Sequence, residues 1–212
     1  RSAGKKVPFV FIESKLPGTP YLAYYGMPVF ESGYLGASLL LRNSAPAEVA
    51  CFWFHRSGDA LSNTASIRQD GFLHFIKQEK RACRLWVDYL YPSDCAQNTE
   101  ILDRFFEAHP DIRHIIIFNS RAYIVAEYLQ AHGMGYRILL GFDPLERNVK
   151  CMKSGYLDYI IAQKCETQAY RGVRALCNLF VFKTTPASAD NYMSMDILTA
   201  ENVNYYIDLP NE

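Results

Sequence analysis

No stretch of this chain stays apolar for the roughly 18 residues that a membrane-crossing helix requires, so no span and no membrane partner is expected. Charge of one sign is not in excess either: 22 basic residues face 22 acidic ones, for a formal net charge of zero. A module that grips nucleic acid carries a basic excess or a basic face, so the chain by itself is not expected to hold DNA or RNA. Six cysteines are present, at positions 51, 83, 95, 151, 165 and 177, and no two stand at CxxC spacing. That spacing excludes the common zinc frameworks and leaves the thiols as small buried packing groups, in keeping with a reducing, cytoplasmic setting. Missing too are GxGxxG, the Walker loop, the GxSxG elbow and HExxH. The histidines at 55, 74, 109, 114 and 132 are scattered without a partnered nucleophile. No enzyme activity, cofactor or metal is expected. No signal peptide opens the chain; its start, RSAGKK, reads as a cut inside a longer protein.

What is present is a regular alternation. Half of the 212 residues are hydrophobic and 21% are charged, the balance of a folded domain or two small ones. Apolar runs of strand length fall at 7–12, 48–54, 84–89, 113–118, 136–141 and 157–163, with helical periodicity between them at 30–41, 67–76 and 101–106. Pro110 closes the third of these helices, and Gly133 and Gly155 mark helix ends. The strand runs are continuously apolar rather than alternating, which means burial on both faces. A parallel sheet between helix layers has that signature, so the expected fold is a doubly wound α/β sheet. Two glycines in GYLGAS (33–38) fit close helix packing better than a phosphate cradle.

In such sheets ligands bind beyond the carboxyl ends of the strands, and polar residues gather there. Glu13 and Ser14 end the first run, His55 and Arg56 follow the second, Asn119 and Ser120 the fourth, Asp143 the fifth, and Gln163 ends the sixth. Arg68, at the start of a helix, offers a planar donor fork suited to two oxygens of one ligand. Each has a plainer reading. Arg68 fits a solvated charge or an ion pair with Asp70 or Asp59. Asn119 fits a turn or a cap before Arg121, and Asp143 an N-cap with Pro144 at the first helical position. Gln163 fits a simple strand end. Their shared place at equivalent ends is what lifts them above those readings. Tyr24, Tyr25, Trp53, Phe54, Tyr89 and Tyr91 also lie near strand ends, where a ring can stack on the apolar face of a sugar.

The segments IRQDGF (67–72), IIIFNSRAYIVAEYLQAHG (115–133) and GFDPLERNVKCMKSGYLDYIIAQKCETQAYRGVRAL (141–176) resemble the effector-binding core of lactose-repressor-type (LacI family) transcriptional regulators. The resemblance runs from VPFVFIES onward and implies a type I periplasmic-binding-protein-like fold with one complete and one partial subdomain. It implies a partial N-terminal effector subdomain from residues 1–32 and 162–190, and a C-terminal one from 33–161 and 191–212. The helix-turn-helix DNA-binding domain of the family has no match here. Carried over, the resemblance assigns ligand contacts to Glu13, Arg68, Asn119, Asp143 and Gln163. Two departures stand out: the family more often has Asp where Glu13 stands, and Asp where Ser120 follows Asn119.

The implied function is binding of a small-molecule effector, a sugar, in a cleft, shifting the operator affinity of an intact homodimer through the missing domain. The alternative is a periplasmic or receptor-type sugar-binding protein.

Overall fold

The computed structural model describes residues 7–16, 18–42, 47–55 and 63–208. Arg56, one of the strand-end polar groups, and Asp59, a candidate partner of Arg68, lie outside them. The chain divides into two compact units. The smaller takes the described residues up to Pro28 together with Gln163–Met195; the larger takes Val29–Ala162 and the described residues from Asp196 onward.

The larger unit is built on six strands: β3 (Ala47–Phe54), β4 (Cys83–Leu90), β5 (His114–Ile116), β6 (Ile138–Phe142), β7 (Tyr159–Gln163) and β9 (Met195–Leu198), ordered β4-β3-β5-β6-β7-β9. The pairs from β4 through β7 are parallel. Period-2 geometry sends alternate residues of β3 to opposite faces, and both faces are buried. Phe52 packs edge-on against Phe105 of α3 (Cys95–Ala108), with ring centroids 4.8 Å apart. On the other face Trp53 meets Phe118, and Phe118 meets Phe72 of α2 (Asn63–Gln78). That double coverage is why the runs read as continuously apolar. Burial of each fully enclosed side chain, such as Phe52, Ile115 or Phe142, contributes about 1.5–3 kcal/mol.

Helix α1 (Val29–Leu41) packs on α2 through glycine. A Cβ on Gly33 would sit 1.7 Å from the Arg68 carbonyl oxygen, and one on Gly71 would sit 1.9 Å from that of Phe30. The two backbones touch because neither residue has a side chain, so the close-packing reading of Gly33 holds. Helices α4 (Ala122–Ala131), α5 (Glu146–Lys153) and α7 (Val203–Asp208) complete this unit.

The smaller unit holds a separate parallel sheet, β1 (Val10–Ile12), β2 (Ala23–Gly26) and β8 (Asp190–Tyr192), ordered β1-β2-β8. Helix α6 (Cys165–Cys177) lies against it: a Cβ on Gly172 would meet the side chains of Ile12 and Val10 at 3.1–3.3 Å. A single π-helical turn, Asn178–Phe182, follows.

Several boundaries differ from the sequence reading. β1 begins at Val10 rather than at residue 7, and α3 starts at Cys95, six residues before its apolar stripe, because the Asp94 carboxylate accepts the Gln97 N–H at 2.9 Å and caps it. The plainer reading of Asp143 as an N-cap does not hold: α5 begins at Glu146 with Leu145 at its cap, and Asp143 adopts a left-handed backbone, φ +63°.

Candidate functional site

Arg68, read from sequence as a ligand fork, a solvated charge or an ion-pair partner of Asp70 or Asp59, is 3% exposed, which rules out the solvated reading. It lies in the second turn of α2 rather than at its start. Its Nη1 donates to the Phe118 carbonyl at 2.8 Å, and its guanidinium lies 3.9 Å from the centre of the Phe142 ring. Phe118 immediately precedes Asn119 and Phe142 immediately precedes Asp143. One buried cation therefore joins the ends of β5 and β6, and Arg68, Asn119 and Asp143 share the carboxyl edge of the larger sheet.

The Asn119 side-chain oxygen accepts the Arg121 N–H at 2.8 Å, one step before α4, so the turn reading of this residue is realised. That use orients the amide and leaves its NH2 as the group suited to an incoming acceptor. At Asp143, the backbone N–H donates to the Ile161 carbonyl at 3.1 Å and its own carbonyl accepts from Leu145 at 2.9 Å. A left-handed aspartate is uncommon, and its short polar side chain makes it one of the residues that tolerate the conformation. Backbone strain of this kind concentrates where a side chain must be aimed.

The residue that fixes this corner is one the sequence reading missed. Asn148, fully buried in α5, donates its amide to the carbonyls of Ser120 (2.9 Å), Phe142 (3.3 Å) and Asp143 (2.9 Å). Its oxygen accepts the Tyr123 N–H at 2.8 Å. Tyr123 is the second residue of α4, whose own N-cap, Arg121, makes no side-chain cap bond. Asn148 thus caps α4 from another helix and pins the loops that carry Asn119 and Asp143. Only the spacing Asp143-x-x-x-x-Asn148 hints at this, and the hint is weak without the fold.

In the smaller unit the structure brings Glu13 and Gln163 together. The Gln163 amide nitrogen donates to the Glu13 carboxylate at 3.3 Å, and fully buried Gln168 of α6 donates to the Gln163 oxygen at 3.2 Å. Glu13 is left-handed as well, φ +67°, with its N–H bonded to the Tyr25 carbonyl at 3.0 Å. The Tyr24 hydroxyl donates to the Glu13 carbonyl at 3.1 Å; burial above all pushes that hydroxyl up to about 12, so it remains a protonated donor at neutral pH. Both acidic candidates therefore sit just past a strand on a left-handed backbone.

Among the described residues no group of His, Cys, Asp and Glu is placed to hold a metal ion, and no cysteine is joined in a disulfide. No described helix is long and apolar enough to cross a membrane.

No curated protein is matched by the chain. A family model described as a periplasmic binding protein domain matches residues 2–184. Among solved structures, a candidate LacI transcriptional regulator from Bacteroides fragilis superposes with a TM-score of 0.87 at 35% identity, covering 94% of this chain and 69% of that one. The sugar-binding protein of a sugar ABC transporter from Bacillus halodurans gives 0.80 at 18% identity, covering 94% and 72%. An ABC transporter solute-binding protein from Burkholderia graminis, in complex with D-arabinose, gives 0.77 at 20% identity, covering 92% and 68%. The latter two likenesses show the fold alone. With a family model spanning most of its length over the parallel sheets described above, the chain belongs to the periplasmic binding protein domain family.

Proposed function

We propose that this chain is the effector-binding region of a LacI-type transcriptional regulator and that its effector is a sugar. The observation that carries the reading is the corner of the larger unit where the Phe118 carbonyl and Phe142 ring hold Arg68, and Asn148 pins the loops that carry Asn119 and Asp143. A sugar presents vicinal hydroxyls, each both donor and acceptor. A guanidinium and an amide NH2 donate to them, and a carboxylate accepts from them. Within the smaller unit, Glu13 and Gln163 form a carboxylate–amide pair of the same donor and acceptor chemistry. The 35% identity to the candidate regulator from Bacteroides fragilis supports the regulator reading, and thiols without disulfides suit a cytoplasmic protein. The function is binding, not catalysis.

In the intact homodimer, a sugar that favours one state of the protein over another would shift operator affinity through the DNA-binding domain. A coupling of about 1–3 kcal/mol changes operator affinity roughly 5- to 150-fold. The second reading, a transport-associated sugar-binding protein, draws on the fold shared with the Bacillus and Burkholderia proteins.

A thermal-shift panel of monosaccharides, oligosaccharides and sugar phosphates tests the sugar reading. A stabilising hit that disappears in Asp143→Ala is expected; a panel with no stabilising sugar contradicts it. Release of the full-length protein from operator DNA, or its tightening there, by the same sugar separates regulator from transport protein.

A further inference from the structure

Next to the polar corner, the larger sheet ends in rings that face solvent. His55 follows β3 and is exposed; its imidazole stacks on Tyr91, centroids 4.5 Å apart and planes within 27°, and lies 5.2 Å from Tyr89. Tyr89 is 40% exposed, although its partner in strand register, Trp53, is buried. The group is held in place from behind. The Asn98 side chain of α3, itself buried, accepts the Tyr91 N–H and donates to the Tyr91 carbonyl, both at 2.7 Å. The His55 N–H donates to the Leu90 carbonyl at 2.8 Å, which carries the β3–β4 pairing one residue past the strand ends. A bidentate clamp on one backbone position fixes half-buried Tyr91, and with it the surface on which the exposed His55 ring stacks.

We propose that His55, Tyr89 and Tyr91 form a second carbohydrate subsite, so that the effector is an oligosaccharide of at least two rings rather than a monosaccharide. The inference rests on the sugar reading of Arg68, Asn119 and Asp143 and extends it. The sheet order places β3 between β4 and β5, so both groups lie on one carboxyl edge. Neighbouring strands are about 4.8 Å apart, which puts the rings one or two strand spacings from Asn119, a reach that one further sugar ring spans. The Arg121 guanidinium, just after Asn119 and Ser120, lies 5.9 Å from the centre of the Phe54 ring that precedes His55, so the segments following β5 and ending β3 are neighbours. The polar corner supplies hydrogen bonds to one ring. The aromatic platform supplies a flat apolar surface for the C–H face of the next.

The test is calorimetric titration of the full chain with matched series: arabinose with arabinobiose and arabinotriose, xylose with xylobiose and xylotriose, and glucose with cellobiose. In the series that binds, the two- or three-ring member is expected to bind at least about tenfold tighter than its monosaccharide. His55→Ala and Tyr89→Ser should each erase most of that gain and leave monosaccharide affinity within about twofold; Tyr91→Phe, which keeps the ring, should retain it. Equal affinity for one and two rings overturns the subsite while leaving the sugar reading intact, and so does a variant that weakens both ligands alike at an unchanged melting temperature. Failure of every sugar of every length overturns the sugar reading and the subsite together.

Discussion

The two units solve the burial problem with different resources. In the larger, a six-stranded sheet has side chains packed on both faces, and the polar groups at its carboxyl edge are themselves buried: Arg68, Asn148 and, behind Tyr91, Asn98. In the smaller, a three-stranded sheet and α6 bury a core of Ala23, Tyr25, Ala175 and Met193, with Val10 packed against it. Around it Val7, Leu16, Val173, Val181 and Phe182 are exposed. Three strands with one helix are near the lower limit for independent stability. The comparison teaches that precise polar geometry is held where the apolar scaffold is deep. In the smaller unit the polar contacts are reinforced by further polar groups, as Gln168 does for Gln163 and Tyr24 for Glu13.

The sharpest way to break that contrast is to cut into each unit. Phe52→Ala should cost about 3–5 kcal/mol, because it opens a cavity between the sheet and α3, while Val181→Ser, at a side chain 67% exposed, should stay within about 0.5 kcal/mol. Urea unfolding of the two variants measures both. Comparable losses would mean that the depth of the scaffold does not distinguish the units.

A second cut tests the polar corner. Asn148→Ala removes the cap on the Tyr123 N–H and the donors to three carbonyls, and should destabilise by about 1–3 kcal/mol. Amide exchange should rise at the start of α4 and in the loops carrying Asn119 and Asp143, with β3 and β4 unaffected. Exchange that rises uniformly would show that Asn148 acts on the whole unit instead of that corner.

The smaller unit offers milder versions. Gln163→Ala removes the acceptor of the Gln168 amide and a donor to Glu13, and should cost about 1 kcal/mol in thermal or urea unfolding. Smallest is the surface pair of Lys15 and Asp190, 2.8 Å apart and about one-third exposed, with the Tyr21 hydroxyl donating to the same carboxylate at 2.6 Å. The Lys15 ammonium first, then Tyr21, holds the Asp190 carboxyl below its ordinary range. Because the folded-state value is depressed, the contribution is complete above the unfolded carboxylate value of about 4 and is lost as pH falls below it. Asp190→Asn should therefore cost at most about 1 kcal/mol at neutral pH and less as the pH drops through that range, read from melting temperatures across a pH series.

The layered fold was legible because burial on both faces leaves a mark that survives without coordinates: CFWF and IIIF cannot be surface strands. The short strands β2, β8 and β9 were not. AYYG, DNY and MDIL are three or four residues long, and two of them carry acidic residues, so neither length nor pattern separates them from loop. Arg68 and Asp143 were visible as residue types at strand and helix ends, but not how they are held. The left-handed backbone of Asp143 replaces the cap that Pro144 suggested, since α5 starts three residues later. Asn148 was hidden because its partners at Ser120 and Tyr123 are 28 and 25 residues away; only folding brings an amide on one helix to the start of another.

The most direct test of the account is a crystal structure of the protein with the sugar that the thermal-shift panel selects. The account predicts sugar hydroxyls within about 3.2 Å of the Arg68 guanidinium, the Asn119 amide and the Asp143 carboxylate. A sugar bound away from the carboxyl edge of the larger sheet, with those three side chains untouched, would contradict it.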